Sequence, residues 1–264
     1  MMMMINTPIS KLPLILKPFL LSLILSISAL IFIASLTPHH RKVNIITETP
    51  HQLSSATNTS STSGLRIRPG YSSYNAYIQH QLNKTLNPKL RQIWKTRDWD
   101  RKVNVFAQFF SSLKERNLLS DSSKALSIGA RVGQEVEALR RIGVADSIGI
   151  DLVPSPPLVI KGDFHAQPFK NETFDFEFSN VFDHALYPWK FVGEIERTLK
   201  PGGVCVIHVA LSRRADKYSA NDLYSVGPLT DLFKESELVD VKKVDGFGLD
   251  TEVVFRKKRI NGFD

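Results

Sequence analysis

From residue 124 onward, short apolar runs alternate with stretches of helical periodicity, and no other feature restricts the fold as much. The segments 124–128 (KALSI), 147–150, 158–160 and 174–178 read as strands. Between and after them, Val136, Leu139 and Ile142, then Phe191, Ile195 and Leu199, recur at helical spacing. Lys200-Pro201-Gly202-Gly203 ends the second of these helices and turns into a fifth strand, 204–209. A helix at 228–233 and strands at 238–244 and 252–255 complete the pattern. Strands linked by helices through short turns predict an α/β fold, a mostly parallel sheet with helices on both faces.

The preceding segment is basic and aromatic, with Tyr71, Tyr74, Tyr77, Trp94 and Trp99. A helix follows with Asp98 as its expected N-cap. Trp99, Val103, Phe106, Phe110 and Leu113 form one apolar stripe, a face for packing against the domain core. Residues 70–120 are read as a helical, aromatic-rich cap on a domain spanning 121–259.

Nearer the N-terminus, 18–36 (PFLLSLILSISALIFIASL) carries no charge and is long enough to cross a hydrocarbon core as a helix, at about 1.5 Å per residue over about 30 Å. Residues 1–42 are therefore expected to be a short tail and an uncleaved membrane anchor; a cleaved signal peptide is the main competing reading, given Ala34 and Ser35. Lys11, Lys17 and the amino terminus precede the run, Arg41 and Lys42 follow it, and this bias favours a cytosolic tail with the domain across the membrane. Residues 43–69 contain a polar stem (SSATNTSSTSG), and Asn58, Asn83 and Asn171 head glycosylation triplets. These features point to a single-pass protein of the secretory pathway, in the endoplasmic reticulum or Golgi.

Charge is uneven. Through Arg116 there are 15 Lys/Arg against 4 Asp/Glu; from Asn117 there are 19 against 22. The C-terminal half thus lacks the basic stripe of a nucleic-acid enzyme, and no nucleic-acid partner is expected. Cys205 is the sole cysteine, so no intrachain disulfide forms, and the histidines show no metal-ligand spacing.

In an open α/β sheet, ligands bind beyond the carboxyl ends of the strands, which singles out Gly129, Asp151, Asp163 and the residues after Phe178. Gly129-Ala130-Arg131-Val132-Gly133 follows the first strand, where glycine allows close approach of backbone to a ligand. Arg131 and Gln134 stand where a dinucleotide fingerprint needs its second and third glycines, which disfavours a nicotinamide or flavin enzyme. Asp151, 22 residues beyond Gly129, can accept hydrogen bonds from both hydroxyls of a ribose.

With LSIGARVGQEV, GIDLVP, GDFHAQPFKNETFDFEFSNVFDHAL and LKPGGVCVIH in this order, the chain resembles the class I S-adenosylmethionine-dependent methyltransferases of the type 11 group, over roughly 124–209. The resemblance implies a Rossmann-like seven-stranded sheet with an antiparallel C-terminal strand, and S-adenosyl-L-methionine as cofactor. It implies that Gly129 and Gly133 line the methionine part and that Asp151, followed by Leu152, holds the ribose. Asp163 would meet the adenine amino group with Phe164 beside the ring, and Asn180 to His184 would lie near the sulfonium and acceptor. Ser127 stands where the family usually has an acid, and Arg131 where it often has glycine. Arg131 is a candidate to pair with the cofactor's carboxylate through its forked donors. His184 is the candidate general base, oriented by Asp183. The alternative is a non-catalytic, membrane-tethered protein that keeps the fold.

Overall fold

The computed structural model describes residues 64–212 and 216–259. A short strand β1 (Leu65–Ile67) leads into three helices: α1 (Tyr74–Thr85), α2 (Pro88–Lys95) and α3 (Trp99–Glu115). The alternating part follows as β2 (Ala125–Ile128), α4 (Gln134–Arg141), β3 (Ser147–Asp151), β4 (Val159–Lys161), β5 (Phe174–Ser179), a 3-10 turn (Phe182–His184), α5 (Pro188–Thr198) and β6 (Leu199–Val209). The chain closes with β7 (Asn221–Leu223), α6 (Gly227–Leu232), β8 (Ser236–Gly246) and β9 (Leu249–Lys257).

Seven strands form one sheet in the order β4-β3-β2-β5-β6-β9-β8, and β1 pairs with β7 in a small antiparallel ribbon of its own. Parallel pairing holds from β4 to β6, while β9 runs antiparallel to both β6 and β8. All four residues of β2 are buried, as a central strand covered on both faces requires. Alternation divides its side chains: Leu126 and Ile128 join the core beneath α5 and α6, and Ala125 joins the core beneath α3 and α4. The chain lays β3 and β4 to one side of β2, then returns to place β5 on the other. That reversal opens a crevice at the carboxyl ends of β2, β3 and β5.

The stripe expected on α3 is buried as Val103, Phe106, Phe110 and Leu113, so this helix belongs to the sheet's covering layer. Helices α1 and α2 lie before it. Ser73 caps α1 by accepting from Ala76 N at 3.1 Å, and Asn87 caps α2 by accepting from Leu90 N at 3.2 Å with Pro88 behind it.

Two local expectations are corrected. Asp98 precedes α3 but makes no side-chain cap; it is αR in backbone and its carboxylate binds Arg97 Nε at 3.0 Å. Leu199, expected on a helical face, is the first residue of β6, because the helix stops at Thr198 ahead of Lys200-Pro201, where proline disfavours helical geometry in the residue before it. Among the described residues no helix is long and apolar enough to cross a membrane. The run 18–36 expected to be an anchor, most of the stem and the triplet at Asn58 lie outside those residues.

Candidate functional site

The turn after β2 holds three residues in left-handed backbone: Gly129 (φ 74°), Arg131 (φ 49°) and Gly133 (φ 98°). Gly129 N and Ala130 N donate to Ile150 O at 2.9 and 3.0 Å, fastening the turn to the end of β3. A Cβ on Gly129 would collide with the Val181 side chain, and one on Gly133 would sit 2.6 Å from Leu158 Cβ. Both glycines are thus demanded by backbone geometry and by close packing of protein on protein, whereas the sequence alone suggested ligand approach. Gly129 borders the cleft; Gly133 precedes α4 with Leu158 against it.

Asp151 ends β3 at the cleft wall. Its Oδ2 accepts from Arg131 N at 2.9 Å and its Oδ1 from Val153 N at 3.1 Å. Each oxygen keeps a second acceptor site, so the carboxylate is oriented without being saturated. Burial raises its pKa, against the opposing pull of these backbone donors and of Arg131 and Arg91. Leu152, Phe164, Val181 and His184 complete the sheet side of the cleft; Tyr77, Gln81, Lys84 and Trp94 complete the side formed by α1 and α2. At this cleft the Arg131 guanidinium lies 5.3 Å from the centre of the Trp94 ring.

Asp163 sits beneath the aromatic cover. Its Oδ1 accepts from His165 N at 2.9 Å and its Oδ2 from the Tyr74 hydroxyl at 2.5 Å. Tyr187 N donates to His165 Nε2 at 3.2 Å, so Nδ1 carries the ring proton and donates to the Tyr74 oxygen at 2.8 Å. Burial works against the charge on Asp163, yet the hydrogen bonds from His165 and Tyr74 hold its pKa below the usual value. The Tyr74 ring stacks on Tyr187 at 5.6 Å, and Phe164 packs edge-on against Phe191 at 5.2 Å.

His184 stands between the cleft and a second cavity, and borders both together with Lys84 and Arg131. His184 Nδ1 lies 3.1 Å from both Tyr218 O and Gln81 Oε1. The Tyr218 carbonyl can only accept, so Nδ1 holds the proton and Nε2 keeps its lone pair. Burial lowers the pKa of this imidazole. Asp183 is 3.9 Å from Nε2 and accepts instead from the Ser219 hydroxyl; the ring is oriented by Gln81 and the Tyr218 carbonyl, which corrects the expected Asp183 role. Asn180 donates through Nδ2 to Glu135 Oε1 at 3.1 Å, and both border the second cavity with Lys102.

The sequence reading thus placed Gly129, Arg131, Asp151, Leu152, Phe164 and His184 around one cleft. It missed Gln81, Lys84, Trp94, Lys102 and Glu135, of which only the aromatic character of the segment holding Trp94 had given a signal.

Residues 126–207 match the family described as methyltransferase domain. That stretch, about a third of the chain, is an S-adenosylmethionine-dependent methyltransferase domain similar to the type 11 group. Its methyltransferase fold is shared with the 1,6-didemethyltoxoflavin-N1-methyltransferase of Burkholderia thailandensis, crystallised with 1,6-didemethyltoxoflavin and S-adenosylhomocysteine. The identity is 15%, the TM-score 0.57, and the match covers 76% of this chain and 98% of that one. A second methyltransferase structure, the S-adenosylmethionine-dependent enzyme of Aquifex aeolicus, is 20% identical with a TM-score of 0.48, covering 63% of this chain and 98% of that one. No curated protein matches the chain.

Proposed function

We propose that this methyltransferase binds S-adenosylmethionine in the cleft at the ends of β2, β3 and β5 and presents its methyl group to an acceptor in the cavity beyond His184. The observation that carries this reading is Asp151: a carboxylate oriented at a cleft wall, each oxygen holding one backbone donor and free to take one more. The ribose diol of the cofactor offers two such donors. Leu152 and Phe164 supply apolar walls for adenine, and Asp163 lies where its amino group would arrive once Tyr74 yields. Arg131 offers paired donors to the cofactor carboxylate. The donor set of the cleft therefore fits the cofactor.

Bound there, the cofactor supplies an electrophilic methyl group on a sulfonium. The protein's part is alignment and exclusion of water: α1 and α2 close one side with Tyr77, Gln81 and Trp94. His184, neutral near pH 7 with its Nε2 lone pair free, takes a proton from an acceptor that must lose one.

The proposed organisation is a tail and anchor (1–42), a stem (43–69), a lid-forming segment (70–120) and the catalytic domain (121–259). The uncharged run 18–36 supports a single-pass membrane protein, and the positive charges before it support a catalytic domain across the membrane from the tail, in the secretory pathway. Asn83 and Asn171 are both exposed, as acceptors of glycans need to be. Full-length protein from a secretory host should shift on endoglycosidase treatment; an unchanged band would count against this topology.

The test of activity is transfer of labelled methyl from S-adenosylmethionine to membrane and lumenal extracts by the full chain, with Asp151→Ala as reference. Incorporation above the variant supports the proposal. Incorporation no greater than that of the variant, by a wild type that binds the cofactor, would instead favour a tethered protein without turnover.

A further inference from the structure

Ser127 stands where the resemblance implies an acid, and the strand's alternation fixes the face on which it lies. Leu126 and Ile128 point to the α5 and α6 side of the sheet, so Ser127 alternates to the face covered by α3 and α4. Helix α4 brings Glu135 to that side in its first turn. Glu135 is only 6% exposed; its Oε1 accepts from Asn180, while its Oε2 is buried without a hydrogen-bond partner. The N-terminus of α4 favours a negative charge, but a buried carboxylate oxygen left unpaired is costly and calls for a partner.

The cavity that Glu135 borders also contains Lys102, from α3, and Arg131. Burial and the repulsion of Arg131 bring Lys102 down to about 8, and among the described residues it makes no ion pair. Of the other charged groups on that cavity, Asp216 pairs with Lys84 and Asp183 accepts from Ser219, which leaves Glu135, Lys102 and Arg131 facing the space beside His184. A ligand terminus bearing an ammonium and a carboxylate on one carbon matches that arrangement.

We propose that Glu135 holds the ammonium of the cofactor's amino-acid end in place of the missing strand acid, with Arg131 and Lys102 receiving its carboxylate. The inference rests on the cofactor reading above and adds the residues that recognise the amino-acid end. Glu177 provides the contrast. It too is fully buried with an unpaired Oε2, and burial pushes it up to about 8, but it lies against Thr198 and Gln167 and borders neither the cleft nor this cavity.

The test is calorimetric titration of the full chain with S-adenosylhomocysteine and with its analogue lacking only the α-amino group. Wild type should prefer the amino compound by about 10- to 100-fold, the range of one charge-assisted hydrogen bond. Glu135→Gln should lose that preference, its affinity for the analogue staying within about twofold, while Glu177→Gln keeps the preference. A preference retained in Glu135→Gln overturns the inference and leaves the cofactor reading standing. Absence of binding by folded wild type overturns both. If Glu135→Gln does not fold, wild type decides: equal affinity for the two ligands overturns the inference, and a clear preference for the amino compound supports it.

Discussion

At the end of β3 and at the start of α4 the protein keeps two carboxylates that it treats in opposite ways. Asp151 has both oxygens fixed by backbone N–H groups of neighbouring turns, so its direction is set by main chain alone. Glu135 has one oxygen on the Asn180 side chain and the other buried and unpaired. On the proposed binding mode, the nucleoside end of the cleft is thus organised before any ligand arrives, whereas the amino-acid end would be held by side chains from α3, α4 and the residue after β5. Changes to the backbone of the turn after β2, at its glycines, should therefore act on folding and on all ligands alike, and changes to side chains at the amino-acid end on particular ligand groups.

The sharpest way to break this contrast is Gly129→Ala. Left-handed backbone and the collision with Val181 should together cost about 3 kcal/mol, read as a fall in melting temperature. An unchanged melting temperature would mean that the turn is softer than its geometry implies.

His184 lies between the two ends, and His184→Gln should lower methyl incorporation about 100-fold while S-adenosylhomocysteine affinity stays within about twofold. Burial lowers the pKa of this histidine, so the neutral base persists at pH 7 and activity should fall only as pH drops below the ordinary value of about 6.5. An acid limb lying above pH 7 would remove His184 from this role.

A smaller effect separates the ends directly. Arg131→Ala deletes the guanidinium but keeps the N–H that binds Asp151. It should weaken S-adenosylhomocysteine about 10-fold and leave 5′-methylthioadenosine, which lacks the amino-acid end, unaffected. Equal losses for both would place Arg131 at the nucleoside end. The smallest change in binding has the opposite sign: Tyr74→Phe frees Asp163 Oδ2 and should tighten S-adenosylhomocysteine about threefold, while removing two hydrogen bonds, to Asp163 and from His165, worth about 1 kcal/mol of stability each. Weaker binding would show that the Tyr74 hydroxyl itself serves the ligand.

The same contrast explains what the sequence could disclose. Strand ends are local: the apolar runs placed Gly129 and Asp151 at the carboxyl ends of strands without any knowledge of tertiary contacts, whereas the reversal of strand order is a property of the sheet. Gln81, Trp94 and Lys102 reach the site from helices whose own periodicity says only which face is buried. Gln81 orients His184 across 103 positions of sequence, and no spacing rule signals such a pair. Glu135 reads as an ordinary acid in a first helical turn, and only its burial and unpaired oxygen set it apart. Asp98 failed as a cap for a related reason, since Arg97 beside it offered a charged partner in place of the helix N–H groups.

The most direct test of the central claim is titration of the full chain with S-adenosylhomocysteine, wild type beside Asp151→Ala. The account predicts micromolar binding, about −8 kcal/mol, weakened by about 100-fold in a variant that retains its melting temperature. Absence of binding by folded wild type, or equal binding by Asp151→Ala, would contradict it.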